Sequence, residues 1–172
     1  MKTYNIFLAV LLILLSWHGA VMAQQQPKVR AIFLLQFARY TSWPKDDNAQ
    51  DFVMTVIGSE EVANELQQLT KGKAVQGRPI EVVASDVPRN LPKSDVIYLD
   101  AQYADMAKSV IGSQYGRRML LVGGEAGMCD KGAQVSLIGE GDKVNFEWSK
   151  RNIEKAGIKI NPKVLNMGQE LN

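Results

Sequence analysis

At 172 residues, with 20 Lys and Arg against 18 Asp and Glu and 46% apolar residues, the chain is sized for one ordinary core. It is too evenly charged to track a nucleic-acid backbone, which needs a basic face. The single cysteine excludes a disulfide within the chain, and the single histidine lies close to the N-terminus.

Met1-Lys2, an apolar stretch from Ile6 to Leu15 and the small residues Val21 and Ala23 read as a secretory signal peptide cleaved after Ala23. Its apolar core is about half the roughly 20 residues that a bilayer-spanning helix needs, and no second run of that length follows. The expected organisation is a signal peptide over 1–23 and a single domain over 24–172, periplasmic, with no direct membrane insertion after cleavage. Gln24 stands where a lipid anchor would require Cys. Cleavage removes Lys2 and His18, leaving 19 basic and 18 acidic residues.

Lys28 to Tyr40 sets Val29, Ile32, Phe33, Gln36, Phe37 and Tyr40 at spacings of three and four, which predicts an amphipathic helix ending by Trp43, before Pro44. Phe52 to Ile57 predicts a strand closed by Gly58-Ser59, and Glu60 to Leu69 a helix capped by Ser59. Gly77-Arg78-Pro79 reads as a turn into a strand over Ile80 to Ala84; Asp95 to Leu99 reads as another strand, and Ala101 to Ile111 as a helix stopping at Gly112. Arg118 to Val122, Gln134 to Ile138 and Lys143 to Trp148 complete the strands, the last two joined by a tight connection at Gly139-Glu140-Gly141-Asp142. Ser149 caps a helix ended by Gly157, and Pro162 starts a short final one. Strands alternating with helices predict an α/β fold: a mainly parallel sheet of five or six strands with helices on both faces and an antiparallel C-terminal edge hairpin. Phe33, Phe37, Val56, Ile97, Leu121 and Phe146 are its expected core.

The inventory for chemistry is thin. Without a mature histidine, Ser-His-Asp, Cys-His and the usual zinc sets are excluded, so neither a catalytic residue nor a metal or cofactor site is expected. Ser42-Trp43-Pro44-Lys45 matches Ser-x-x-Lys only formally, because Pro44 breaks the helical turn that would bring Ser and Lys together. Gly123-Gly124-Glu125-Ala126-Gly127 lacks both phosphate-loop and dinucleotide signatures and reads as a plain turn. Cys129 is expected to be a buried small hydrophobe; a free reactive thiol or an intermolecular bridge are the alternatives. Carboxylates acting alone, paired across a cleft as in glycosidases, are the remaining enzymatic reading.

Three blocks resemble the YfiR-like family of periplasmic signalling proteins. They are Ala31 to Tyr40 with Trp43-Pro44, Val75-Gln76-Gly77-Arg78-Pro79-Ile80, and Val144-Asn145-Phe146-Glu147 with Ala156-Gly157-Ile158-Lys159-Ile160 and Leu165. The carry-over onto Phe33, Phe37, Trp43, Pro44, Gly77, Pro79, Phe146, Glu147 and Gly157 is structural. Some relatives carry cysteine pairs where this chain has only Cys129, so redox sensing through an intrachain disulfide does not carry over. The resemblance implies a non-enzymatic regulator that binds the periplasmic part of a membrane signalling protein, with repression of an inner-membrane diguanylate cyclase, cyclic di-GMP output and biofilm control as its best understood form. An alternative is a small-molecule receptor or accessory subunit of a sensor kinase or transporter. For a ligand, the carboxyl ends of the strands select Ser59, Glu60, Asp100, Gly123, Gly124 and Glu125. For a partner or a second copy in a homodimer, the first helix is expected to bury Phe33, Phe37 and Tyr40 and to expose Arg30, Leu34 and Thr41. No nucleic-acid partner is expected.

Overall fold

The computed structural model describes residues 25–43, 51–116, 118–140 and 143–171. The expected signal peptide, Pro44 to Gln50 and the hairpin tip at 141–142 lie outside them. In chain order the elements are helix α1 (Gln25–Tyr40), strands β1 (Thr41–Ser42) and β2 (Phe52–Ile57), helix α2 (Glu60–Thr70), and strands β3 (Ala74–Val75), β4 (Arg78–Ser85) and β5 (Val96–Leu99). A 3-10 turn (Ala101–Met106) leads into α3 (Ala107–Ser113), followed by β6 (Leu120–Gly123), β7 (Val135–Glu140), β8 (Lys143–Ser149), α4 (Lys150–Ala156), β9 (Lys159–Ile160), α5 (Pro162–Leu165) and β10 (Gln169–Leu171).

Eight strands form one sheet in the order β10-β8-β7-β6-β5-β2-β4-β3, more than the five or six expected. The five central strands from β4 to β7 are parallel. β7 and β8 make the expected antiparallel hairpin, Val135 opposite Trp148 and Glu140 opposite Lys143. The additional strands β3 and β10 are only two and three residues long, too short to leave a period in the sequence. β1 and β9 pair separately, Thr41 opposite Ile160.

Because successive side chains on a strand point to opposite faces, the central strands feed two cores. Met54, Val56, Val96, Tyr98, Leu120, Val122, Val135 and Leu137 face α1, α2 and the C-terminal segment. Ile57, Ile97, Leu99 and Leu121 face the 3-10 turn and α3, meeting Ala104, Ala107 and Val110. Helices therefore cover both faces, as the periodicity implies. Each fully buried Leu, Ile or Phe contributes roughly 1.5–3 kcal/mol. Of the six expected core residues, five are buried and Phe33 is half-buried, its ring edge-on to Phe146 at 5.6 Å.

Local chemistry sets the boundaries. Ser59 accepts a hydrogen bond from the Val62 amide and Ser149 from that of Asn152, both as N-caps, and Gly157 closes α4 in the left-handed region at φ 66°. The indole of Trp43 donates to the Ala38 carbonyl at 2.8 Å, satisfying one orphan acceptor at the end of α1, and packs edge-on to Phe52 at 5.2 Å. The β3–β4 hairpin turns at Gln76-Gly77, both at positive φ (50° and 82°) as a two-residue loop demands; Arg78 and Pro79 already belong to β4. The turn is thus one residue earlier than expected. The helix expected over Ala101 to Ile111 is broken at Tyr103, whose φ of −112° is not helical, and α3 ends one residue beyond Gly112.

The face of α1 is the main correction. Leu34 is fully buried and Thr41 is 2% exposed, whereas Tyr40 is 47% exposed. The expected outer strip of Arg30, Leu34 and Thr41 therefore does not exist as a surface, and Tyr40 is not on the inner side. The buried residues Ala31, Leu34, Leu35, Phe37 and Ala38 occupy nearly half of the helix circumference, because α1 packs against both the sheet and α2. The side left outward carries Lys28, Ile32, Arg39 and Tyr40.

Candidate functional site

Two places on the molecule gather polar side chains from separate elements. The first is the rim at the carboxyl ends of β2, β5 and β6, which are adjacent in the sheet, so that Ser59, Glu60, Asp100, Gly123, Gly124 and Glu125 do come to one end of the molecule. Two of their amides, however, are committed within the fold. The Asp100 amide donates to the Ile57 carbonyl at 3.0 Å and the Gly124 amide to that of Leu99 at 2.9 Å. Gly123 and Gly124 are buried, and an added Cβ would lie 2.5 Å from the Met128 sulfur at the one and 2.7 Å from the Tyr98 hydroxyl at the other. These glycines are selected by close packing. Gly123 ends β6 and Gly124 begins the bend that follows it, and the two glycines offer no open anion cradle.

Arg30 occupies the centre of this rim. Its Nη1 donates to the Gly124 carbonyl at 2.8 Å and to the Tyr98 hydroxyl at 3.2 Å, and that hydroxyl donates to Asp100 at 3.4 Å. Burial pushes the Tyr98 phenol up to about 12, with Arg30 opposing and Asp100 adding to the shift. Arg30, expected on an exposed strip, is thus an internal clamp between α1 and the sheet. Ser59 is used as a cap, while Glu60 and Glu125 are exposed. Gln102 closes the rim on its other side, donating to the Gly58 carbonyl at 2.7 Å.

The second place is an open cleft of about 380 Å³ where the end of α1, the Gln76 turn and the β9–α5 junction meet. Arg39 and Lys159 line it, with Tyr40, Gln76 and Asn161, and among the described residues no acidic side chain does. Thr41 lines it too, and its buried hydroxyl has no hydrogen-bond partner among the described residues. Sequence reasoning missed this cleft, because its walls come from segments far apart in the chain, Arg39 and Lys159 being 120 residues apart, brought together by the pairing of β1 with β9.

The loop after β6 is held from the other flank. Glu147 accepts from the Gly127 amide at 2.6 Å, Ser136 accepts from the Cys129 amide at 3.0 Å and donates to its sulfur at 3.2 Å, and the Asn152 side chain donates to the Cys129 and Ala133 carbonyls. Cys129 is buried, as expected; burial pushes its thiol up to about 11, Ser136 opposing and Glu147 and Asp130 adding. At the amino end of the sheet, Arg78 and Asp95 form a two-point ion pair at 2.7 and 3.0 Å, and Asp95 also accepts from the Val53 amide. Arg78 and Glu147 are therefore internal ties. Among the described residues, no cluster of three or more His, Cys, Asp or Glu could hold a metal ion, and no helix is long and apolar enough to cross a membrane.

A family model described as YfiR/HmsC-like matches residues 27–169. No curated protein matches the chain. Among solved structures, a conserved domain protein from Vibrio cholerae O1 biovar El Tor is similar at a TM-score of 0.54 and 15% identity, over 86% of this chain and 60% of that one. The chain thus spans about three-fifths of that relative's length, and the likeness is one of fold. The ABC domain from Streptococcus pneumonia, solved in complex with L-Trp, is similar at a TM-score of 0.49 and 14% identity, over 70% of this chain and 55% of that one.

Proposed function

The chain belongs to the YfiR/HmsC-like family, and from that membership we propose that it represses an inner-membrane diguanylate cyclase by binding the cyclase's periplasmic part. At the family level the function is periplasmic regulation of cyclic di-GMP signalling, and the family is a regulatory one. The family match over 27–169 is the observation that carries the reading. Supporting it is the outward side of α1, where Ile32, Arg39 and Tyr40 stand 39% exposed or more at the two hydrophobic positions. A half-exposed aromatic beside an arginine has the composition of an interface anchor.

The test is capture of membrane proteins on the mature chain, alongside cyclic di-GMP measured in cells with and without it. The expected result is recovery of a diguanylate cyclase and a rise in cyclic di-GMP when the chain is absent. Ile32→Asp with Tyr40→Ala should fold normally, capture at least about tenfold less cyclase and mimic the absence. Recovery of only a sensor kinase or a transporter, with cyclic di-GMP unchanged, overturns the cyclase reading.

The cleft at the end of α1 favours a second reading, compatible with the first: reception of a small anionic molecule. Its volume suits a metabolite, and among the described residues its charged side chains are both cationic and a buried hydroxyl in it lacks a partner. A ligand preferring one conformation would shift partner binding through linkage. A thermal-shift screen of carboxylate and phosphate metabolites checks this: stabilisation lost in Arg39→Ala and Lys159→Ala supports it, and no stabilisation at high ligand concentration overturns it.

A further inference from the structure

The parallel strands distribute surface charge unequally between their two ends. At the carboxyl ends stand exposed Glu60, Glu61, Asp86 and Glu125, which follow β2, β4 and β6, with Lys28 and Lys143 as exposed cations among them. The amino ends gather cations. Exposed Lys93 precedes β5 and exposed Arg118 precedes β6. β8 runs antiparallel to β7, Trp148 opposite Val135, so it ends where β7 begins and delivers exposed Lys150, Arg151 and Lys155 of α4 to the same end. Gly157, which closes α4, lies against the Arg118 side chain, a Cβ added there standing 3.4 Å from Nε, and this contact joins the two groups of cations. None of them is in an ion pair among the described residues, where the ion pairs are Arg78 with Asp95 and Lys131 with Asp105. Asp51 before β2, Glu154 on α4 and Glu170 on β10 are exposed acids at this end, while Asp95 is buried and bound to Arg78. Tyr115 stands at the same end and is 96% exposed. Its neighbour Gln114 accepts from the Ser94 amide at 3.1 Å and donates to the Pro92 carbonyl at 3.0 Å, which fixes the tyrosine turn beside Lys93.

We propose that this end of the sheet, from Lys93 through Tyr115 and Arg118 to α4, docks peripherally on an anionic phospholipid bilayer. The location rests on the periplasmic role of the family, whose space is bounded by such bilayers, and the chemistry does not depend on the cyclase reading. Head-group phosphates attract clustered Lys and Arg, each adding about fivefold to affinity near an anionic surface. Tyrosine is enriched at the membrane interface, where its ring meets the acyl boundary and its hydroxyl meets water. Tyr115 therefore gains from the same surface that the cations seek, although in the free chain its ring is left in water. An acidic protein partner fits less well, because protein interfaces are depleted of Lys and this patch holds Lys93, Lys150 and Lys155. Flexible point charges suit a fluid array of phosphates. Exposed charges are screened beyond about 10 Å at 0.1 M salt, so the acids of the far end do not oppose the contact. Docking sets the strands pointing away from the bilayer. α1 finishes at the docked end, where Trp43 packs on Phe52 at the start of β2, so its outward side comes close to the membrane from which a cyclase would project.

Co-sedimentation of the mature chain with vesicles tests the proposal. Vesicles of phosphatidylglycerol mixed with phosphatidylcholine should retain it at least about tenfold better than phosphatidylcholine alone, and added salt should release it. Arg118→Glu with Arg151→Glu should keep the unfolding midpoint and weaken retention at least about tenfold. Lys93→Glu with Lys155→Glu should do the same, so the surface remains testable if the first pair fails to fold. Tyr115→Ser should weaken retention with every cation in place, and the indole-like blue shift of an environment-sensitive dye on Tyr115→Cys should appear only with the anionic vesicles. Lys28→Glu, at the other end, should leave retention within about twofold. Equal retention on both kinds of vesicle, indifference to salt, or charge-reversed variants that bind like the natural chain each overturn the proposal. So does binding to polyglutamate without binding to the anionic vesicles, which would assign the cations to an acidic protein. Capture of a cyclase in detergent, where no bilayer is present, reads the cyclase proposal separately: it can succeed while vesicle binding fails, or fail while vesicle binding succeeds.

Discussion

Leu34 and Cys129 show how differently single residues can be read. Leu34 stood on an expected surface strip and is fully buried, so Leu34→Ala should cost about 2–5 kcal/mol, measured by denaturant unfolding. Leu34→Asp, which would be nearly neutral on a surface, should prevent stable folding by burying an unpaired charge. Cys129 is buried, as its chemistry suggested, and its pKa, raised by that burial to about 11, leaves it protonated at neutral pH. Its folded pKa lies above the unfolded value of 9.0, and that of Tyr98, about 12, lies above 10.0. The folded chain thus holds protons that the unfolded chain releases. Stability is fully present below pH 9 and is lost as pH rises through 9 to 11 for Cys129 and 10 to 12 for Tyr98. The urea midpoint should fall between pH 8 and pH 10.5 (about the middle of that window), and by less in Cys129→Ala. An equal fall in both would assign the loss to other groups.

At the scale of elements, α1 is both the best and the worst predicted part of the chain. Its helical state and its end before Trp43 were legible, because the spacing of Phe33 and Phe37 and the stop at Pro44 are local signals. Its orientation was not, because nine of the twelve residues from Val29 to Tyr40 are apolar and a wheel that apolar singles out no stripe. Arg30 depends on that orientation: with α1 rotated as observed, its guanidinium reaches the Gly124 carbonyl and Tyr98 rather than solvent. Arg30→Ala should destabilise the protein by about 1–3 kcal/mol by leaving the Gly124 carbonyl unpartnered. It should also raise the Tyr98 pKa further, since a cation that favours the phenolate is removed; a spectroscopic tyrosinate titration reads this. An Arg30 with only a surface role would change neither quantity.

For the whole molecule, the sequence by itself determined the alternation of strands and helices, the parallel sheet covered on both faces, the C-terminal hairpin, and membership of the family matched over residues 27–169. Each of these rests on a period of two or near 3.6, on a cap or turn residue, or on a short motif, all of which act within a few residues. Only the tertiary structure decided which side of α1 faces outward, that Arg30, Gly123, Gly124 and Glu147 are spent holding the fold together, and that β3 and β10 extend the sheet. The same holds for the cleft between Arg39 and Lys159. The physical reason is common to all of them. A hydrogen bond between Arg30 and Gly124, or the pairing of Thr41 with Ile160, joins residues whose separation along the chain imposes no pattern on either one.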